Sequence, residues 1–300
     1  FATSGLAEAF VAVGRNLVLL PILGMIGAAF GLGFIVGPGV GGLLVDEAAG
    51  RQGFLAPIYL AAIMAAIAAV GVVFLLKESR AKADPTAPRE PFLAGLRGAL
   101  DNPVVSRELL VTLIFIAGFA GMESTFALWA DQAWDWHARE VGLNFMAVGV
   151  VSVVSQAFLT GRLARRFGEA NVLAFGAVLF GVSLVAQVVV ARLFAGHDWL
   201  VPVITAFTAF GMSLTMPNVS ALISRSVDPD RQGQMLGLNM ASGSIARILG
   251  PIVAGAIYSA LGPNWPFLIG ALFAIPAAIM ALNAGRAFSR ERARAASAES

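Results

Sequence analysis

The sequence predicts an all-α membrane protein, a polytopic bundle of hydrophobic helices. Three observations support this prediction: the composition, the number of long apolar segments and an internal repeat. Apolar residues make up 58% of the 300-residue chain and charged residues 13%, with a mean hydropathy of +0.81. A soluble domain has about 45 to 50% apolar and about 25% charged residues. The chain therefore has too little polar sequence to cover a water-soluble fold.

Eight apolar segments are long enough to cross a bilayer, whose hydrocarbon core of roughly 30 Å needs about 20 helical residues. The predicted spans run from Leu17 to Val45, Phe54 to Leu76, Leu109 to Trp129, Val141 to Leu163, Val172 to Leu193, Leu200 to Ile223, Met235 to Leu261 and Phe267 to Ala284. This number of spans is typical of a polytopic membrane protein.

An internal repeat duplicates the first two predicted spans. The copies share a glycine-proline pair and a following glycine, which are Gly37-Pro38 with Gly42 and Gly250-Pro251 with Gly255. The offset of 213 residues between the two copies superposes further identical residues, and the connecting loop aligns without a gap. The sequence therefore predicts two helices and a loop that are duplicated in the same order, an arrangement found in secondary transporters.

The longest polar stretch, residues 77–107, separates the first two spans from the other six and is predicted to be a linker. Within it, a short amphipathic helix is expected to end at Asp101-Asn102-Pro103, with one apolar face formed by Phe92, Leu93, Leu96 and Leu100. This helix on the membrane surface and an ordinary solvated linker are both compatible with the pattern. The predicted domains are 1–76, the end of one bundle; 77–107, the linker; 108–286, a six-helix bundle; and 287–300, a tail.

Basic residues predict the orientation of the spans. If the linker is cytoplasmic, sixteen of the twenty lysines and arginines lie inside, three lie outside and Arg247 lies within a span. This is the asymmetry that the positive-inside rule expects. All the tryptophans then fall at the outer ends, as interfacial anchors do: Trp129, Trp134, Trp136, Trp199 and Trp265.

The repeat also predicts that some spans are absent from the chain. Four spans precede the matched pair in the second bundle, none precedes it in the first, and residue 1 is Phe. The simplest inference is a protein of twelve spans that lacks its first four here. Phe1 to Arg15 would be the remnant of the fourth span and its loop, and whether residues 1–16 are native is left open.

The first span carries glycines and a proline at fixed spacing: Gly24, Gly33, Gly37, Pro38, Gly41 and Gly42. This spacing resembles, without a gap, the antiporter signature of drug/proton antiporters of the major facilitator superfamily. A later stretch is similar to the superfamily's cytoplasmic loop motif, with Arg165 where the stronger copy carries Asp: Gly161, Arg162, Arg165, Arg166 and Gly168. Residues 121–129 and 244–251 resemble the tetracycline-resistance-like branch, and the resemblance extends from Gly24 to the end.

The resemblance implies a major facilitator fold with eight of its twelve helices present. It also implies proton-coupled antiport, or efflux, of a small amphipathic drug such as tetracycline by alternating access. The expected partners are the small-molecule substrate, protons and the lipid bilayer, with the complete protein a monomer in a bacterial inner membrane. A proton-coupled sugar or metabolite carrier of the same superfamily is the alternative. A non-transporting scaffold needs neither duplicated motifs nor embedded charges.

The duplicated glycines predict close helix packing, since membrane helices associate through small residues. Pro38 removes a backbone donor and clashes with the preceding turn, so we expect a bend there. A moving element between two bundles and tight packing in a static bundle both fit this pattern. The second copy, Gly250-Pro251, favours the symmetric moving element.

Two charges are predicted to lie within spans, Glu123 and Arg247. An ionisable group in hydrocarbon costs roughly 2.5 to 3.5 kcal/mol, so both are functional candidates. Arg247 is expected near the midplane, and its counterpart in the first repeat is Phe34. The hypothesis is that Glu123 takes part in proton coupling or cation binding, while Arg247 orients substrate or balances a carboxylate. A fixed ion pair, or a Glu123 that faces outer water, is the structural alternative.

Other polar and aromatic residues in the spans could line a cavity. Gln156 and Asn218 are the better candidates because the fourth and sixth spans would line the cavity in this fold, whereas Gln187 would be peripheral. A greasy, adaptable pocket could draw on a set of aromatic and methionine residues, most of which are expected only to pack: Phe115, Phe119, Phe126, Phe207, Phe210, Met212 and Met216.

Several function classes find no support in the sequence. Without cysteine, disulfides and thiolate metal sites are excluded, and with only His137 and His197 a histidine metal centre is not expected. No phosphate-binding loop of the GxxxxGK[ST] type occurs, so ATP is not implied. We expect no cofactor, no metal, no nucleic-acid partner and no enzyme activity.

Overall fold

Hydrophobic helices form most of the structure, as the composition predicts. The computed structural model describes residues 32–33, 35–75, 92–194 and 196–299, with the backbone alone for 92–93 and 291–299. Seven helices among these residues are long and apolar enough to cross a bilayer, and they correspond to the second to eighth predicted spans. The first predicted span lies within the described residues only from Leu32 onward, and Gly24 and Phe34 lie outside them.

Nine helices organise the described residues. Two of them and a 3-10 turn belong to the first repeat unit: α1 (Ile35–Leu44), the turn Glu47–Phe54 and α2 (Leu55–Leu75). The linker contributes α3 (Phe92–Asp101). The six-helix bundle comprises α4 (Pro103–Trp134), α5 (Ala138–Phe167), α6 (Glu169–Leu193), α7 (Leu200–Arg225), α8 (Gln232–Leu261) and α9 (Trp265–Glu299).

Local sequence explains where these helices begin and end. Asn102 caps α4 by accepting hydrogen bonds from the N–H groups of Val104 and Val105 at 2.9 and 3.0 Å, and Pro103 occupies the first helical position. The helix therefore starts six residues before the predicted span at Leu109. Gly168, with φ of 84°, ends α5 in a conformation that other residues rarely adopt.

The core of the six-helix bundle lies where α4 packs on α8 and α9, and where α6 packs on α7 and α9. Small residues let these helices approach closely. A Cβ on Gly176 of α6 would lie 2.7 Å from the carbonyl oxygen of Gly211 in α7. Aromatic rings fill the centre, with the Phe115 and Phe180 centroids 4.6 Å apart. Backbone contact and ring packing together replace the solvent-driven burial of a soluble core.

The two copies of the repeat differ in structure. α1 is π-helical over Ile35–Val40 around Pro38, whereas α8 stays α-helical through Pro251. The loops that connect the two helices of each copy align in sequence but differ in conformation. The first copy has the 3-10 turn Glu47–Phe54, while a short turn at Gly262, with φ of 105°, separates α8 from α9. Asp46 caps the 3-10 turn of the first copy by accepting a hydrogen bond from the Ala48 N–H at 3.2 Å.

The linker helix α3 forms as predicted and ends at Asp101, and Leu96 of its predicted apolar face packs against the core together with small residues. Gly95 and Ala99 are buried, while Leu100 is 60% exposed. Gly95 faces the side chain of Gln234 at the start of α8. The helix packs through its small residues because only they allow it to approach the bundle this closely.

One end of the bundle carries all the tryptophans, as the sequence predicts, and it is called the tryptophan end below. The indole N–H of Trp129 donates to Asn264 Oδ1 at 2.9 Å, which joins α4 to the start of α9. The indole N–H of Trp136 donates to Asp198 Oδ2 at 3.4 Å, which joins the α4–α5 loop to the α6–α7 loop. These hydrogen bonds hold the helix ends together on one side of the membrane-spanning region.

Candidate functional site

A cavity of about 620 Å³ lies at the tryptophan end, where α1 meets α4 and α5. We call it the interface cavity because it lies between the first repeat unit and the six-helix bundle. Its titratable lining residues are Glu47, Glu123, Asp131 and His137. Its walls are otherwise apolar and include Leu128, Trp136 and Phe145. Such a mixture of apolar walls and a few polar groups is typical of a small-molecule site.

The wall between α1 and α5 is a backbone contact. A Cβ on Gly142 of α5 would lie 2.6 Å from the carbonyl oxygen of Pro38 and 2.9 Å from the Cα of Gly42. Both distances are shorter than real Cβ contacts. Among the described glycines of the signature, Gly42 therefore makes the close contact. Within the described part of the chain, Gly33 and Gly37 have nothing within 4 Å of a Cβ position, and Gly41 meets only Pro57 at 3.9 Å.

Pro38 lines the interface cavity and lies in the π-helical segment of α1. Proline cannot donate the backbone hydrogen bond of an α-helix, and a wider turn accommodates its ring. The bend expected at this position thus takes the form of a π-helical turn. Single π-helical turns occur often at functional sites.

Glu123 projects from α4 into the interface cavity and is half-buried. Arg247 of α8 is exposed and does not line this cavity. α4 and α8 run parallel, and Gly121 lies opposite Gly250 and Ala254. This register places Glu123 nearer the tryptophan end than Arg247 by roughly 10 Å, at 1.5 Å per residue.

The predicted polar residues Gln156, Asn218 and Gln187 lie apart from the interface cavity. Asn218 is 2% exposed and its amide donates to the Leu214 carbonyl of its own helix at 2.6 Å. Gln156 is half-buried in a second π-helical segment, Ser155–Thr160 of α5. Gln187 is fully buried and donates to Thr208 Oγ1 at 3.1 Å, so its amide joins α6 to α7.

The second glycine-proline motif packs inside the six-helix bundle. A Cβ on Gly250 would lie 2.7 Å from the Ala117 carbonyl oxygen, so this glycine allows α8 to contact α4. Gly255 has nothing within 4 Å of its Cβ position, and Pro251 is half-buried. The two copies therefore hold different contacts, one between the repeat unit and the bundle and one within the bundle.

The predicted cytoplasmic loop motif is mostly helical. Gly161–Phe167 continues α5, and Gly168 alone breaks the helix. The guanidinium of Arg162 donates to the Phe158 carbonyl, and that of Arg166 lies 5.4 Å from the Phe167 ring centroid. Arg165 is exposed. Next to the motif, Glu169 forms an ion pair of 2.6 Å with Arg225, which ties the start of α6 to the end of α7.

A second cavity, also of about 620 Å³, lies between α5 and α7. Its lining is almost entirely apolar and includes Phe207 and Phe210, two of the residues considered for a greasy pocket. The other three phenylalanines of that set, Phe115, Phe119 and Phe126, are at most 3% exposed and belong to the core. They pack, as most of the set was expected to do.

Sequence reasoning missed residues that the structure brings to the site. Glu47 and Gly142 lie just outside or at the edge of predicted spans, where a loop carboxylate or a single glycine carries no signal of its own. Glu108 was missed as an embedded charge because the span was predicted to begin at Leu109. It is fully buried in α4, and neither carboxyl oxygen has a hydrogen-bond partner among the described residues.

Three side chains at the tryptophan end could reach one metal ion. Asp131, Asp135 and His137 place one ligand atom each within 4.8 Å of one another, and all three are exposed. His137 Nδ1 already lies 4.0 Å from Asp131 Oδ1. Exposed acidic groups of this kind are common without a metal, so the cluster does not define a metal site.

Comparison with known proteins agrees with this architecture. The family model of the Major Facilitator Superfamily matches residues 21–133 and 109–299. The class C tetracycline resistance protein of Escherichia coli is 32% identical over 247 residues, which cover 81% of this chain and 59% of that protein. The class G protein of Vibrio anguillarum is 30% identical over 258 residues, covering 83% and 62%.

Multidrug resistance protein 2 of Bacillus subtilis (strain 168) is 28% identical over 255 residues, covering 82% of this chain and 60% of that protein. The chain thus spans about 60% of the length of these relatives. The family match covers almost the whole chain, and the long apolar helices agree with a family of polytopic membrane transporters. The chain belongs to the Major Facilitator Superfamily.

Proposed function

We propose that the protein is a secondary active transporter that exports a small amphipathic drug, such as tetracycline, in exchange for protons by alternating access. The observation that carries the proposal is the place of Glu123. Its carboxyl group lines a cavity between the first repeat unit and the six-helix bundle. A group at such an interface can change its access to water when the two parts move against each other.

Glu123 is proposed to bind the coupling proton or a cationic group of the substrate. Arg247 is proposed to balance the Glu123 carboxylate, since it carries a positive charge on α8, a helix that packs on α4. Gln156 stays a candidate substrate contact because it is half-buried in a π-helical turn. Asn218 is a weaker candidate because its amide already donates to its own helix.

The relatives support the choice of drug export within the superfamily. Two of them are named as tetracycline resistance proteins and a third as a multidrug resistance protein. The organisation proposed for this chain keeps the predicted domains, 1–76, 77–107, 108–286 and 287–300. The linker is proposed to lie in the cytoplasm and the tryptophan end to face outward, in the inner membrane of a bacterium, with the complete protein a monomer.

Everted membrane vesicles with the full-length protein test this function. Addition of tetracycline to energised vesicles is expected to release protons from the lumen, which a pH-sensitive dye reports as recovery of its fluorescence. Glu123→Gln is expected to abolish this response while the protein still reaches the membrane. Asp135→Asn is the matched control, because Asp135 ends the same helix and does not line the interface cavity.

Two outcomes decide against the proposal. Drug-stimulated proton release that survives Glu123→Gln removes the coupling role of that carboxylate. A wild-type protein that responds to sugars or other metabolites but to no amphipathic drug would favour the alternative carrier function.

A further inference from the structure

A carboxylate of the first repeat unit is hydrogen-bonded to the six-helix bundle in the lining of the interface cavity. Glu47 Oε1 accepts a hydrogen bond from the backbone N–H of Ala138 at 2.9 Å. Glu47 begins the 3-10 turn after α1, and Ala138 is the first residue of α5. The two residues are 91 positions apart in the sequence, so this contact is a tertiary one.

The start of α5 suits such a contact. The first N–H groups of a helix have no acceptor within the helix, and the helix dipole favours a negative charge at that end. The Glu140 carboxylate of α5 itself accepts from the N–H of His137 at 3.1 Å. Glu47 accepts a hydrogen bond from the next N–H group, that of Ala138, from the other side of the interface cavity. One helix end thus has two carboxylate caps, of which only Glu47 comes from outside the bundle.

The contact lies directly beside the closest approach of α1 and α5. Gly142, one helical turn after Ala138, is in backbone contact with Pro38 and Gly42. Glu47 also lines the interface cavity together with Glu123. Moving α1 away from α5 at this end would open the cavity, and it would break the Glu47 hydrogen bond in the same step.

We propose that Glu47 is a latch that holds the interface cavity closed at the tryptophan end. The inference rests on the proposed alternating access of this cavity. The glycine contact defines how closely α1 and α5 approach, and the Glu47 carboxylate adds a charge-assisted hydrogen bond that exists only in the closed arrangement. Loss of the latch therefore increases the fraction of molecules in which the cavity is open at this end.

Cysteine labelling of the purified full-length protein tests the latch. The 300 residues contain no cysteine, and any cysteine in the rest of the full-length protein is replaced by serine, so Val141→Cys introduces a defined reporter at a half-buried position of the cavity wall. We measure the rate at which a bulky maleimide labels this cysteine, without drug or proton gradient. Glu47→Ala is expected to increase the labelling rate about fivefold, the typical effect of losing a helix cap. Glu47→Gln keeps an oxygen acceptor without charge, so a smaller increase is expected.

Glu140→Ala is the matched control, because it removes a cap from the same helix end without touching the contact between the two parts. Its labelling rate is expected to stay at the wild-type value. Equal increases in Glu140→Ala and Glu47→Ala would assign the effect to fraying of α5 and overturn the latch. Unchanged labelling in both Glu47 variants would also overturn the latch. If Glu47→Ala does not fold, the labelling rate of Glu47→Gln alone tests the latch.

The labelling assay is independent of transport, so the two proposals can fail separately. If the protein exports no drug but its labelling rate rises on loss of Glu47, the latch holds and the proposed function is contradicted. If the protein exchanges drug for protons normally and its labelling rate does not change on loss of Glu47, the proposed function holds and the latch is contradicted.

Discussion

Gly42 of α1 and Gly142 of α5 bring two helices into backbone contact across the interface cavity. A Cβ placed on Gly142 would lie 2.9 Å from the Cα of Gly42, closer than real Cβ atoms approach other heavy atoms. The two residues are far apart in the chain, and only Gly42 belongs to the glycine signature of the first span. The close contact made by the glycine signature of α1 thus also requires a glycine in α5.

The first prediction concerns this contact. Gly142→Ala adds a methyl group that meets backbone atoms of Pro38 and Gly42, which cannot rotate away. Overpacking of this kind costs about 1 to 3 kcal/mol, so we expect the closed arrangement to become roughly tenfold less populated. Faster maleimide labelling of a cysteine at Val45, which lines the same cavity, measures the change.

Gly33→Ala is the control for that prediction. Gly33 belongs to the same signature, but no atom of the described residues lies within 4 Å of its Cβ position, so labelling at Val45 is expected to stay unchanged. Equal effects of the two substitutions would show that helix propensity, and not the contact with Gly142, determines the closed arrangement.

The second prediction concerns the buried carboxyl group of Glu108. It has no hydrogen-bond partner among the described residues, and a buried polar group without partners destabilises the fold. Replacement by an apolar side chain of similar length, Glu108→Met, is expected to raise the free energy of unfolding by about 1 kcal/mol. Thermal unfolding in detergent measures this effect.

Glu169→Gln is expected to change the free energy of unfolding in the opposite direction. It removes the charge that pairs with Arg225 at 2.6 Å, so a small loss of stability is expected, at most about 1 kcal/mol because this pair is partly exposed. A loss of stability in Glu108→Met as large as in Glu169→Gln would mean that the Glu108 carboxyl has a stabilising partner after all.

The third prediction concerns Asn102 at the start of α4. The side-chain oxygen of Asn102, Oδ1, caps the helix. Its side-chain amide, Nδ2, donates to the backbone carbonyl of Ser226 at 3.1 Å, which ties the start of α4 to the end of α7. Asn102→Ala is expected to lower the free energy of unfolding by about 1 to 2 kcal/mol. Asn102→Asp keeps the cap and loses the donor, so it should cost less. An equal loss in both variants would place the whole effect in the contact with Ser226.

The sequence could predict the helices because membrane spans leave a one-dimensional signal. Length and hydropathy alone locate seven spans that the structure confirms, since every backbone polar group in lipid must find its partner within a helix. Helix ends were harder to predict where capping chemistry lies outside the apolar run. Asn102 with Pro103 starts α4 earlier than hydropathy suggested, which brought Glu108 into the bundle unnoticed.

The candidate site could be predicted only in part. Glu123, Pro38 and Gly42 were singled out from the sequence, and the structure brings all three to one cavity. Glu47 and Gly142 could not be predicted, because a cap and a helix contact depend on which distant backbone lies nearby. Asn218 shows the opposite error. Its polar side chain in a span suggests a cavity position, but its amide donates to a carbonyl of its own helix.

The sequence by itself determined the class of the protein, the approximate position of the seven spans found among the described residues and the family signature, all of which depend on residues near one another in the chain. The tertiary structure alone decided which glycine makes the close contact, which carboxylate reaches the other part of the molecule and how the two copies of the repeat differ. The physical reason is distance along the chain. Hydropathy and spacing act within one helix, whereas packing and capping join residues such as Glu47 and Ala138 that only the fold brings together.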